Sequence, residues 1–116
     1  MKLRVDKDLY MDDVSIISEG MSIFGDSETH GNIRVDGKIK GNVKSGGNVT
    51  VGKNGGVEGN ITAKSMTIGG TVVGGVHVEG KLILESKSQL QGDIVAAILV
   101  IEEGAKFSGK SAMHNE

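Results

Sequence analysis

The chain contains no cysteine, no proline and no tryptophan, and its aromatic residues are limited to Tyr10, Phe24 and Phe107. Without cysteine there is neither a disulfide framework nor a zinc–thiolate site, a composition that fits a reducing compartment. Without proline, nothing in the composition interrupts a continuous backbone ladder. With so few rings, the core of this 116-residue, single-domain chain has to be filled mainly with aliphatic side chains. No apolar run approaches the roughly 18 residues of a membrane span; the longest is "IVAAILVI", Ile94 to Ile101. Met1 to Asp13 alternates charged and apolar residues with no apolar central region, so no secretory signal is expected. A formal net charge of −2 gives no basic signal for nucleic acid.

What the chain does have is glycine, 19 residues of it, with Val and Ile as the main apolar side chains. Branched side chains favour strands, and frequent glycine suits a chain that turns often. The expected class is therefore all-β, with many short strands and tight turns.

A repeat organises these residues. Apolar-x-apolar dyads begin at Ile33, Val49, Met66, Leu82 and Leu99, spaced by 16, 17, 16 and 17 residues. Such a dyad marks a short strand with one buried face. A second series runs in the same period: "IKGNV" at Ile39, "VEGNI" at Val57, "VVGGV" at Val72, "LQGDI" at Leu90 and "FSGKS" at Phe107. It puts Gly41, Gly59, Gly74, Gly92 and Gly109 in one column, and Asn42, Asn60, Gly75, Asp93 and Lys110 in the next. Gly and Asn tolerate positive φ, so the two columns read as a repeated corner. A third dyad follows it, at Val43-x-Ser45, Ile61-x-Ala63, Val76-x-Val78 and Ile94-x-Ala96.

Three short apolar segments per period describe one turn of a three-sided coil. Stacking such coils gives parallel sheets around a column of Val, Ile and Leu, which is a parallel β-helix. With "ISEGMSIFGDSETHGNI" as a weaker first copy, the β-helix is expected over 17–111, about six coils of roughly 17 residues, with tails at 1–16 and 112–116. The steps between columns do not fit the strict six-residue repeat of hexapeptide β-helices. The column Arg34, Thr50, Thr67, Ile83, Val100 is too mixed for an ice-binding Thr ladder.

The stretch "GAKFSGKS", Gly104 to Ser111, matches the phosphate-binding loop pattern G-x-x-x-x-G-K-[ST]. That loop needs a strand before it and a helix after it to hold the anion. Here Phe107 falls in the core column of Ile39, Val57, Val72 and Leu90, so the stretch is expected to be the last rung of the stack. No nucleotide, metal or other cofactor is expected. His77 alternates outward between Val76 and Val78, His30 sits in a different column and His114 lies near the terminus, so no ligand set converges. Nor does any acidic residue converge with a histidine or serine as a hydrolytic site requires.

The ordered series "SEGMSIFGD", "VDGKIKGNV", "VEGNI", "LQGDI" and "LVIEEGAKFSGKS" resembles the bactofilins, bacterial polymer-forming cytoskeletal proteins, over roughly Ile17 to Ala112. The resemblance implies a right-handed β-helix of triangular cross-section flanked by flexible tails. It also implies cytoplasmic filaments that form without nucleotide through contacts between rod ends and serve as scaffolds for cell shape or protein localisation. Membrane attachment through the N-terminus and envelope or scaffolded proteins as partners are further implications. Many members carry longer, proline-rich tails, which this chain does not.

Physical reasoning also points to assembly. A solenoid exposes strand edges and a section of its core at each end, and needs caps to remain a monomer. Neither end of the sequence shows an amphipathic cap. The end contacts are expected at Phe107, Leu99 and Ile101 on one side and at Ile17, Met21 and Ile23 on the other. A lateral patch is expected at Ile83, Val95 and Val100, covered by the N-terminal segment or by another subunit. Lys2, Arg4 and Lys7 interleaved with Leu3, Val5 and Leu9 have the makings of a weak membrane anchor, but Asp6 and Asp8 cancel much of the charge. The leading expectation is thus a non-enzymatic, self-assembling structural protein. The alternatives are a β-helical enzyme of the acyltransferase or carbonic anhydrase kind, which predicts a discrete trimer, and a monomeric binding module.

Overall fold

The computed structural model describes residues 14–113. Within them the chain makes eighteen short strands, β1 (Val14–Ile17) to β18 (Ser111–Met113), and no helix. Every third strand belongs to the same sheet. Sheet A is β1 with β4 (Asn32–Val35), β7 (Asn48–Val51), β10 (Ser65–Ile68), β13 (Lys81–Leu84) and β16 (Ile98–Ile101). Sheet B runs from β2 (Ser22–Phe24) through β5 (Lys38–Lys40), β8 (Gly56–Glu58), β11 (Thr71–Val73) and β14 (Gln89–Gln91) to β17 (Lys106–Ser108). Sheet C runs from β3 (Ser27–Thr29) through β6 (Val43–Ser45), β9 (Ile61–Ala63), β12 (Val76–Val78) and β15 (Ile94–Ala96) to β18. All pairings are parallel, so three six-stranded sheets wrap one core in six coils: a β-solenoid. The strand ladder extends a few residues beyond 17–111 at both ends.

The sequence columns are the strand registers. Ile33, Val49, Met66, Leu82 and Leu99 are successive partners in sheet A, and Ile39, Val57, Val72, Leu90 and Phe107 in sheet B. In sheet C, Val43, Ile61, Val76 and Ile94 lead to Ser111. Alternation along each strand sends these side chains inward; those of the second to fifth coils, with Val35, Val51, Ile68 and Leu84, belong to one buried cluster, and Leu99 and Phe107 of the last coil are half-buried against it. Each such aliphatic side chain contributes about 1.5–3 kcal/mol by leaving water.

The corners explain the 16/17 alternation. The corner between sheets B and C is always two residues. The corner between sheets A and B is two residues in the second and fourth coils but four in the others, as in Gly52–Gly55 and Glu85–Ser88. The corner from sheet C back to A shortens to one residue, Lys64 or Ala97, after the third and fifth coils. Two residues gained and one lost give 17 instead of 16, and register is kept throughout.

The glycine column is required by both conformation and space. Gly25, Gly41, Gly59, Gly74, Gly92 and Gly109 all have φ between 127° and 150°. From Gly41 onward, a Cβ would land on the carbonyl of the glycine one coil below. The adjacent column corrects the sequence reading, because none of its Asn or Asp residues has positive φ. They are there for their side-chain oxygens. Asp26 Oδ1 accepts from the Asn42 amide at 2.9 Å, Asn42 Oδ1 from Asn60 at 2.9 Å, and Asn60 Oδ1 from Gly75 at 3.0 Å. Gly75 has no side chain to continue the ladder, which resumes where the Lys110 amide donates to Asp93 Oδ1 at 3.2 Å.

Polar groups inside the stack are few. Ser45 donates to the Gly31 carbonyl at 2.7 Å and accepts from the Gly47 amide at 3.0 Å. Ser88 is fully buried and its hydroxyl has no partner. In the next coil Ala105 holds the equivalent last position of the corner. Ser88→Ala is therefore expected to stabilise the fold by about 1 kcal/mol, the lower bound for an unsatisfied buried hydroxyl. A rise in the urea midpoint at unchanged slope would show it.

Candidate functional site

The phosphate-loop motif dissolves on inspection of its geometry. Gly104 (φ 95°) lies in the last A–B corner, Lys106–Ser108 is strand β17, and Gly109 belongs to the clashing glycine column. Ser111 opens strand β18, where a nucleotide site would need a helix. The histidines stay apart: His77 is exposed on sheet C, His30 is exposed at a C–A corner, and His114 lies outside the described residues. No group of three or more His, Cys, Asp or Glu among the described residues is arranged to hold a metal ion. The proposed membrane-anchoring residues Lys2, Arg4 and Lys7 also lie outside the described residues.

What the structure does concentrate is apolar surface at the two ends. Eight large apolar side chains are exposed among the described residues. Val14, Ile16, Met21 and Phe24 belong to the first coil, and Ile98, Val100 and Ile101 to the last; only Val73 lies between them. Scattered surface hydrophobes are ordinary, but this clustering marks contact surfaces.

The expected end residues fall into two groups. At the C-terminal end, Leu99 and Phe107 are half-buried and pack on the core from the outermost strands of sheets A and B, and Ile101 is 48% exposed. All three are core-column residues with no further coil beyond them among the described residues. At the N-terminal end, Ile23 is half-buried against the core and Met21 is exposed in the A–B corner. Ile17 is buried in register with Val35, so it supports this end from within and offers little surface of its own.

The three residues of the lateral patch are not all brought together. Ile83 and Val100 are register partners on the outer face of sheet A. Val95 pairs with His77 and Ala112 on sheet C, a different side of the triangle. Sequence reasoning missed Val14, Ile16, Phe24 and Ile98. The signal for the first two was present: Ile16 continues the column of Arg34 and Thr50 one coil earlier. It was hidden because the first coil places Ser15, Ser27 and Thr29 in the inward columns, where later coils carry mostly aliphatics.

Comparison with known proteins agrees with this architecture. The family model described as bactofilin, polymer-forming cytoskeletal, matches residues 15–112. Bactofilin BacO of Myxococcus xanthus (strain DK1622) is 31% identical over 96 residues, covering 81% of this chain and 76% of BacO. Bactofilin BacP of the same strain is 26% identical over 101 residues, which span 87% of this chain but only 42% of BacP. Among solved structures, the cytoskeletal bactofilin BacA, determined by solid-state NMR, superposes with a TM-score of 0.78 at 34% identity, covering 89% of this chain and 98% of that one. A six-coil solenoid with apolar ends, matched over nearly all its length by one family, places this chain among the bactofilins, the polymer-forming cytoskeletal proteins.

Proposed function

We propose that this bactofilin joins end to end, without nucleotide, into filaments that act as a cytoplasmic scaffold for cell shape or protein localisation. The observation that carries the reading is the open section of the core at each end, where Leu99, Ile101 and Phe107 on one side and Met21 and Ile23 on the other have no further coil stacked on them among the described residues. Contact between rod ends covers the core residues there and offers partners to the open edges of β1–β3 and β16–β18, groups that are otherwise costly to leave unpaired away from water. Phe107, Leu99 and Ile101 form the contact at one end, and Met21 and Ile23 at the other, with Ile17 beneath them. Electron microscopy and sedimentation of the purified protein in nucleotide-free buffer test this. Filaments that pellet without nucleotide are expected; a stable monomer at high concentration overturns the reading.

A further inference from the structure

End contacts leave one feature unexplained. Val14, Ile16, Ile98 and Val100 point outward from sheet A, across the rod axis, and a joint along the axis does not bury them. They are 51%, 59%, 51% and 38% exposed. Among the described residues, sheet A is the only side with large apolar residues at both ends of its outer face. Sheet B has Phe24 at one end but Lys106 and Ser108 at the other; sheet C has Glu28 at one end and Ala112 at the other.

The middle of the sheet A face is different again. Its third and fourth coils carry Asn48, Thr50, Ser65 and Thr67, all uncharged. The face carries two cations: Arg34 in the second coil, held by Asp36 at 3.0 Å, and the exposed Lys81 in the fifth. In a two-fold contact the residues near the axis meet their own copies, so a charge there repels itself. With rods antiparallel the axis crosses this face between the third and fourth coils, where it carries no charge. Both two-fold arrangements also match apolar with apolar. With rods parallel, Val14 meets Ile16 and Ile98 meets Val100; with rods antiparallel, Val14 meets Ile98 and Ile16 meets Val100.

We infer that the outer face of sheet A is the lateral contact through which this chain pairs with a second copy of itself, sheet A against sheet A. The face is small: five strand steps of about 4.8 Å by a strand about 13 Å long give roughly 300 Å² per partner. That total, roughly 600 Å², is below the roughly 1,200 Å² of a stable pair. Single subunits therefore pair only weakly by this face, at millimolar concentration. A row of subunits joined end to end engages many copies at once, and pairing becomes strong through effective concentration. The strength of the pairing thus rests on the end-to-end reading, while its geometry does not.

The test is Thr67→Lys, in the fourth coil and away from both ends, made alongside Thr67→Glu. Each variant sets like charges across the contact, which costs enough to reduce paired filaments in micrographs by about tenfold or more. Single filaments of unchanged length are expected from each alone, and pairing is expected to return when the two are mixed. That rescue cannot come from a folding defect. Pairing of either variant alone at the wild-type level, or no recovery on mixing, overturns the inference. So do wild-type filaments that stay single but pellet with anionic phospholipid vesicles in a manner lost in Thr67→Glu, since the face then serves a lipid surface. If no filaments form at all, the end-to-end reading fails separately. The pairing is then read as a weak dimer in sedimentation at millimolar protein, lost in Thr67→Lys, and a wild-type monomer there overturns it.

Discussion

Gly59→Ala is expected to destabilise the rod by about 4 kcal/mol or more, a large share of the roughly 5–15 kcal/mol that keeps a domain folded. Gly59 has φ 148°, a conformation L side chains rarely adopt, and its Cβ would collide with the carbonyl of Gly41. That carbonyl belongs to the coil below, so relief requires prising two coils apart and giving up backbone hydrogen bonds such as Gly41 N to Glu58 O and Val43 N to Asn60 O, both 2.8 Å. Gly25 supplies the control. It shares the column and the positive φ, at 127°, but nothing lies within 4 Å of its would-be Cβ because no coil sits beneath it among the described residues. Gly25→Ala therefore carries conformational strain alone, about 1–2 kcal/mol. The gap between the two variants measures the clash. Urea unfolding should be followed in a background that does not polymerise, because assembly stabilises the folded state by mass action. Equal effects at Gly25 and Gly59 would show that conformation, not coil-on-coil contact, demands the glycines.

The second large effect concerns Phe107. Phe107→Arg is expected to stop filament growth while leaving the rod folded. Phe107 is the last member of the column that begins at Ile23, and it covers the end of the core from the outermost strand of sheet B. In an end joint its ring is enclosed. An arginine there brings an unpaired charge out of water, at a cost of about 3–5 kcal/mol. Lys106 and Lys110 beside it carry the same sign and offer no relief. By the usual conversion of about tenfold per 1.4 kcal/mol, the concentration needed for assembly rises by at least about a hundredfold. The variant should remain in the supernatant at concentrations where the wild type pellets, with an unchanged β circular dichroism spectrum. Wild-type pelleting of Phe107→Arg would place the joint elsewhere than the last coil.

Much of this architecture is legible in the sequence because a solenoid writes each contact at a fixed separation. Val49 meets Ile33 and Met66 because the chain returns after one coil, so a column of side chains is also a column of text. The reading fails where that correspondence weakens. The first coil is obscured by its inward Ser15, Ser27 and Thr29, and for that reason residues 14–16, most of its first strand, read as tail. The Asn column is found but its role is misread: residue type alone does not distinguish an Asn chosen for backbone freedom from one chosen for its oxygen. The pairing of Val95 with Ile83 and Val100 fails because alternation tells inside from outside but not one side of the triangle from the next. Ala97, a one-residue corner, places Val95 and Val100 on different sheets.

The variable corner between sheets A and B has a further consequence. Because it holds two residues in some coils and four in others without disturbing the register on either side, the number of residues in the chain and the length of the rod are uncoupled. The rod is a ruler graduated in coils. Residues added at that corner decorate one edge of it and leave its length as it was.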